Sequence, residues 1–103
     1  MRTEYVMTGE PDEVLARSAQ ALRRLGARLT RYDLDEGTLE ARARRLHVDV
    51  VVRVAVVAEP PGATRVRIEG AAAGPGRLTL GAGRWVVRRL GSEIDRTRAD
   101  WPR

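Results

Sequence analysis

The chain has 103 residues, the size of one domain with a modest core. It holds no Cys, which excludes disulfides and thiolate metal sites. Its 19 basic residues, all Arg, exceed the 14 acids for a net charge of +5, a balance that favours polyanions only weakly because the acids are so many.

Lys, Asn and Phe are all missing. Their codons are A/T-rich, so the composition reads as that of a GC-rich, bacterial genome. Codon supply then accounts for part of the Arg content. The first residues, "MRTEYVMTGEPDE", have no apolar segment of the signal-peptide kind. The longest apolar run is broken by Arg53 and falls short of the roughly 20 residues that a membrane span needs. A cytoplasmic location with no membrane partner is expected.

The segment 2–8, "RTEYVMT", predicts a first strand, ended by "GEP". Pro11 suits the first turn of a helix, and Asp12 and Glu13 complement its N-terminus. Val14, Leu15, Ser18, Ala21, Leu22 and Leu25 form a helical stripe, closed by Gly26. "ARLTRYDL" (27–34) and "TLEARAR" (38–44) flank "DEG" as a hairpin. The first of these alternates poorly, and its register is left open. In the second, Leu39, Ala41 and Ala43 alternate with Glu40, Arg42 and Arg44.

The longest predicted strand is 47–59. Val48, Val50, Val52, Val54 and Val56 point to one face; Asp49, Val51, Arg53, Ala55 and Val57 point to the other. Pro61-Gly62 suits the centre of a type II turn. "TRVRIEG" (64–70) returns with Val66 and Ile68 inward and Arg65, Arg67 and Glu69 outward. Pairing about Pro61 sets Arg53 opposite Glu69, and a turn near Leu46 would set Arg42 opposite Asp49. Residues 71–83 are expected to form a mobile connection. "GRWVVRRLGSEIDRT" (83–97) predicts a second helix carrying Val86, Val87, Leu90 and Ile94 on one side. A single domain over 1–103 follows, with 97–103 a frayed tail from which Trp101 could pack back. The fold class is α+β: a two-layer sandwich in the order β-α-β-β-β-β-α, with a mainly antiparallel sheet and both helices on one face.

The segments "ALRRLGARLTRYDLDEGTLEARAR", "VDVVVRV" and "ATRVRIEG" resemble a family of small uncharacterised bacterial domains. Those share a helix ending in Leu-Gly, an Asp…Gly-x-Leu-Glu-Ala hairpin and a Val-Arg-Val strand. Here the matching positions are Leu25, Gly26, Asp33, Gly37, Leu39, Glu40, Ala41, Asp49, Val50, Val52, Arg53 and Val54. The resemblance implies the fold and no known catalysis. The chain departs from it in its Gly/Ala-rich loop.

Chemistry-bearing motifs are few. "GRLTLGAGR" spaces Gly76 and Gly81 as a phosphate loop would, but Ala82-Gly83 stand where Lys-Ser is needed. G-x-G-x-x-G fails as well, so a plain crossover is expected, with loose anion binding at the helix start left open. His47 is the sole histidine, in a turn. Ser18 and Ser92 lack a nucleophile's setting. No catalytic residue, metal or cofactor is expected, and the protein is read as a non-enzymatic interaction domain.

Its interface is expected on the outer sheet face, at Val51, Arg53, Ala55, Val57, Arg65 and Arg67, with a homodimer partner or another protein. One alternative is nucleic-acid or polyanion binding through Arg77, Arg84, Arg88 and Arg89. A slight likeness to double-stranded-RNA-binding domains underlies it. Another is a small apolar ligand held between sheet and helices, where the lack of Phe leaves few large side chains.

Overall fold

The computed structural model describes residues 2–45, 48–73 and 82–100; for Arg45, Ala73, residues 82–85, Asp95 and residues 97–100 it describes the backbone alone. The elements are β1 (Arg2–Thr8), α1 (Pro11–Arg24), β2 (Arg28–Asp33), β3 (Thr38–Arg45), β4 (Val48–Glu59), β5 (Ala63–Ala73) and α2 (Ala82–Asp100). The order matches the sequence reading.

The α1 helix begins on Pro11, carries Asp12 and Glu13 in its first turn and Arg23 and Arg24 in its last. Both ends thus oppose the helix dipole. Gly26, at φ +81, closes it: the Gly26 N–H donates to Arg23 O at 3.0 Å and the Ala27 N–H to Leu22 O at 2.9 Å. These bonds satisfy carbonyls that the helix end would otherwise leave open. Its apolar stripe is buried as expected at Val14, Leu15, Ala21 and Leu22.

One sheet holds the five strands in the order β1-β5-β4-β3-β2, each neighbouring pair antiparallel. The chain therefore starts at one edge, crosses in α1 to the far edge, and returns as a meander until β5 meets β1. At the start of that crossing, the Gly9 N–H donates to Gly62 O at 3.0 Å and Thr64 Oγ1 donates to Gly9 O at 2.8 Å. These two bonds tie the start of α1 to the β4–β5 turn.

Both helices lie on one face. The core between them and the sheet contains Leu15, Leu22, Leu39, Val50, Val52, Val54, Val66, Ile68, Val86, Leu90 and Ile94, all essentially inaccessible to water. Burying one such Leu or Ile contributes about 1.5–3 kcal/mol. Polar groups enter this layer with partners. Ser18 Oγ donates back to Val14 O at 2.9 Å. Arg17, outside the apolar stripe named from the sequence, is buried and donates from Nη2 to Ile94 O at 3.3 Å, joining α1 to α2. Glu93 is buried too and accepts from Arg96 Nη1 at 2.9 Å.

Two local expectations change, and the register left open for 27–34 is settled. Arg42 lies opposite Val51, and it is Arg44 that lies opposite Asp49. The register of β3 on β4 thus sets each partner two residues further along β4 than assumed. Residues 71–73 are not part of a loose connection: they extend β5, opposite Asp49–Val51 of β4. The long β4 offers ladder partners there, and even an alanine run takes them. Finally, β2 pairs with β3 around a bulge. Leu29 faces Ala41 and Arg31 faces Glu40, which leaves Thr30 as the extra residue. An inserted residue reverses the alternation beyond it, which is why 27–34 shows no clean period two.

Candidate functional site

The face of the sheet away from the helices is the candidate site. Antiparallel register sets its rows. One row runs across all five strands: Arg31 (β2), Glu40 (β3), Arg53 (β4), Glu69 (β5) and Arg2 (β1), each directly opposite the next. The charges alternate without a break. In this row Arg53 Nε bonds Glu40 Oε1 at 3.1 Å. Elsewhere on the face Arg67 Nε bonds Glu4 Oε1 at 3.0 Å, Arg65 Nε bonds Glu59 Oε2 at 3.1 Å, and Arg44 Nε bonds Asp49 Oδ1 at 3.3 Å. Exposed pairs of this kind contribute about 0–1 kcal/mol each. Their larger effect is to cancel the field that a run of arginines would project.

The bond from Arg67 holds the Glu4 carboxyl below its ordinary value, against slight desolvation, with Arg2 and Arg65 adding to it. The Glu59 carboxylate holds the Arg65 guanidinium further toward its protonated form. On the other side of the sheet, burial against α1 pushes the Tyr32 phenol up, and Asp12 adds to this.

Three groups on the open face escape the cancellation: Arg2, which has no carboxylate at ion-pair distance among the described residues, and the two described next. Glu69 stands between Arg53 and Arg2 yet has no ion pair within 4.0 Å among the described residues, because Arg53 turns to Glu40. Arg28 and Arg42, in the neighbouring row, face each other across β2 and β3. Both are exposed, and neither reaches a carboxylate among the described residues.

Two depressions adjoin here. One, of about 560 Å³, has Val51 and Ala71 as an apolar floor and Arg2, Arg53 and Glu69 at its side. The other, of about 240 Å³, lies over Thr38 and Ala55. Arg53 and Glu69 border both.

The six residues expected to form an interface, Val51, Arg53, Ala55, Val57, Arg65 and Arg67, all lie on this one face. Sequence reading missed Arg2, Arg28, Arg42 and Glu69 as a group. Their gathering depends on strand order and on the Thr30 bulge. Of the polyanion candidates, Arg88 and Arg89 are exposed on α2; Arg77 and the side chain of Arg84 lie outside the described residues. So do His47, Trp101 and the glycine-rich stretch from Gly74 to Gly81. Between sheet and helices, where one alternative put a small apolar ligand, the buried described residues form the core cluster. Ser92 Oγ bonds back to Arg88 O at 3.3 Å, so both serines named above serve their own helices. Among the described residues no cluster of three or more His, Cys, Asp or Glu side chains could hold a metal ion. None of the described helices is long and apolar enough to cross a membrane.

The same layering of two helices on one antiparallel sheet occurs in solved structures. The chain is similar to a chain of the crystal structure of the adenylate sensor from AMP-activated protein kinase complexed with ATP: TM-score 0.62, 17% identity, 86% of this chain and 92% of that chain covered. It is similar in the same way to the adenylate sensor in complex with 5-aminoimidazole-4-carboxamide 1-beta-D-ribofuranotide (ZMP): TM-score 0.60, 17% identity, 85% and 94% covered. A weaker likeness is to TTHA0849 from Thermus thermophilus, with TM-score 0.44, 15% identity and coverage of 91% and 87%. No family model matches the chain. No curated protein matches it either.

Proposed function

We propose that the chain is a non-catalytic, sensor-type domain that acts by binding a small anionic ligand on the open face of its sheet. The observation that carries this reading is the depression floored by Val51 and Ala71, with Arg2 and Arg53 at its side and two uncompensated arginines, Arg28 and Arg42, in line with its floor. Apolar floor plus a few convergent polar groups is the usual make-up of a small-molecule site. The likeness of fold to the adenylate-sensor chains supports a regulatory role. Because those proteins are complexed with ATP and ZMP, these two compounds and AMP are the first ligands to try. Titrating them into isotope-labelled protein should shift backbone amides of β4 and β5 around Val51 and Ala71. Shifts confined to α2 at Arg88 and Arg89, or none at all, would remove the reading.

A second reading is self-association, and one observation favours it. Val6 and Val57 flank Arg65 in one row and are 49% and 63% exposed. Two copies meeting there would bury both. Sheet-on-sheet packing over the whole face is disfavoured, since it would desolvate the alternating charges. A strict monomer in sedimentation at high micromolar concentration would remove this second reading.

A further inference from the structure

The nature of the ligand can be read one step further, on the premise of the open-face site just proposed. We infer that the site takes an amine-bearing phosphomonoester, with its phosphate between Arg28 and Arg42, its flat body over Val51 and Ala71, and its amine toward Glu69. Like charges directly opposite each other across strands are destabilising. Arg28 and Arg42 form such a pair, and the nearest carboxylates of the face are taken: Glu40 by Arg53 at 3.1 Å and Asp49 by Arg44 at 3.3 Å. A dianionic phosphate between two guanidinium groups turns that repulsion into two charge-assisted contacts of the bidentate kind.

The same row continues from Arg42 to Val51 and Ala71, the floor of the larger depression. Beside the floor, in the next row, stands Glu69, an acceptor with no ion pair of its own among the described residues. From Arg42 on β3 to Glu69 on β5 is two strand spacings across and one two-residue step along, about 12 Å between backbone positions. A phosphate at one end and an exocyclic amine at the other end of a mononucleotide span a comparable length. The apolar middle suits a ring laid flat.

A polynucleotide fits less well. A run of phosphates along this face would meet Glu40, Glu69, Asp49, Glu4 and Glu59 between the arginines. The face has room for one phosphate, at the corner where two arginines stand together.

The test is calorimetric titration with AMP, IMP, adenosine and inorganic phosphate. Wild type and the variants Arg42→Gln, Arg28→Gln and Glu69→Ala are compared, with Arg65→Gln as a control. AMP should bind more tightly than IMP, which lacks the amine, and more tightly than adenosine, which lacks the phosphate. Arg42→Gln and Arg28→Gln should each weaken AMP about ten- to a hundredfold, the range for a charge-assisted bond, and leave adenosine unchanged. Glu69→Ala should abolish the preference for AMP over IMP. Adenosine binding as tightly as AMP would overturn the inference. So would AMP shifting the Val51 and Ala71 amides while Arg42→Gln binds it like wild type; the open-face reading would then survive alone. No open-face shift with AMP, ATP or ZMP would sink both.

Discussion

Arg28 and Arg42 stand directly opposite each other on β2 and β3, with no carboxylate at ion-pair distance from either among the described residues. A sheet gains nothing from this arrangement in the free protein. Replacing Arg42 by Thr, a good strand residue, should therefore stabilise the unliganded domain by about 0.2–1 kcal/mol. Urea denaturation monitored by circular dichroism measures it. A loss of stability would mean that the Arg42 stem packs on the face and outweighs the repulsion.

Gly37 and Gly62 both adopt the left-handed region, at φ +67 and φ +68, but they differ in surroundings. A Cβ on Gly37 would lie 2.8 Å from Val56 O, whereas one on Gly62 meets nothing within 4 Å. The Gly37 carbonyl also accepts the Val56 N–H at 2.8 Å, hooking the β2–β3 turn onto β4. Gly62→Ala should cost about 1 kcal/mol for its backbone conformation. Gly37→Ala should cost clearly more, with a lower thermal midpoint than the Gly62 variant. Equal midpoints would contradict the close approach.

Leu90 is fully buried on α2, and Leu34 is 51% exposed beyond β2. Leu90→Ala should destabilise by about 2–5 kcal/mol through lost burial and a cavity. Leu34→Ala should change stability by no more than about 0.5 kcal/mol. Denaturant midpoints of the two variants decide the matter.

The Glu4 carboxyl is held below its ordinary value by the Arg67 bond. A carboxyl whose pKa is lower folded than unfolded binds fewer protons in the native state. Its contribution is present above the unfolded pKa and is lost as pH falls through the folded one. Glu4→Gln should thus lower the melting temperature slightly at pH 7. The gap from wild type should begin to shrink as pH falls through the ordinary carboxylate range, where the unfolded chain takes up its proton, and vanish only once the folded carboxyl is protonated too. A gap that persists in acid would point to packing instead of charge.

Nucleic-acid binding through α2 gives a distinct outcome. Arg88 and Arg89 are exposed there, but the open face interleaves its arginines with acids. Any affinity for duplex RNA should fall with salt at a slope of about 1–2 released ions, in place of the roughly six to ten of a protein lined with phosphate contacts. Fluorescence anisotropy over a salt series reads that slope, and a steep one would favour the polyanion reading.

Much of the architecture is legible in the chain because its residues repeat with the period of their element. Val50, Val52, Val54 and Val56 announce a strand with one buried side, and Val86, Leu90 and Ile94 announce a helix. What is not legible depends on neighbours. The Arg44–Asp49 pairing turns on a single residue in the position of a turn. The burial of Arg17 turns on α2 crossing α1, which helical periodicity within α1 cannot reveal. The candidate site is the clearest case. Alternation tells that Arg53 and Glu69 leave the core, but the unbroken row from Arg31 to Arg2 exists only because β1 lies beside β5. Likewise Arg28 meets Arg42 because Thr30 is bulged out; a regular hairpin would set Arg28 opposite Ala43 on the helix side.

The pairing of β1 with β5, Arg2 opposite Glu69 through Thr8 opposite Ala63, also has a meaning for the chain as it is synthesised. The first strand leaves the ribosome with no partner. At about 10 residues per second, several seconds pass before β5 follows. Until then the Val-rich β4 has one bare edge, the kind of surface along which nascent chains stick to one another. A ribosome stalled between β4 and β5 would hold out a sheet whose longest strand is unpaired on one side. Such stalled or truncated chains should be frequent clients of chaperone holdases, whereas the finished domain, with β1 docked on β5, should not.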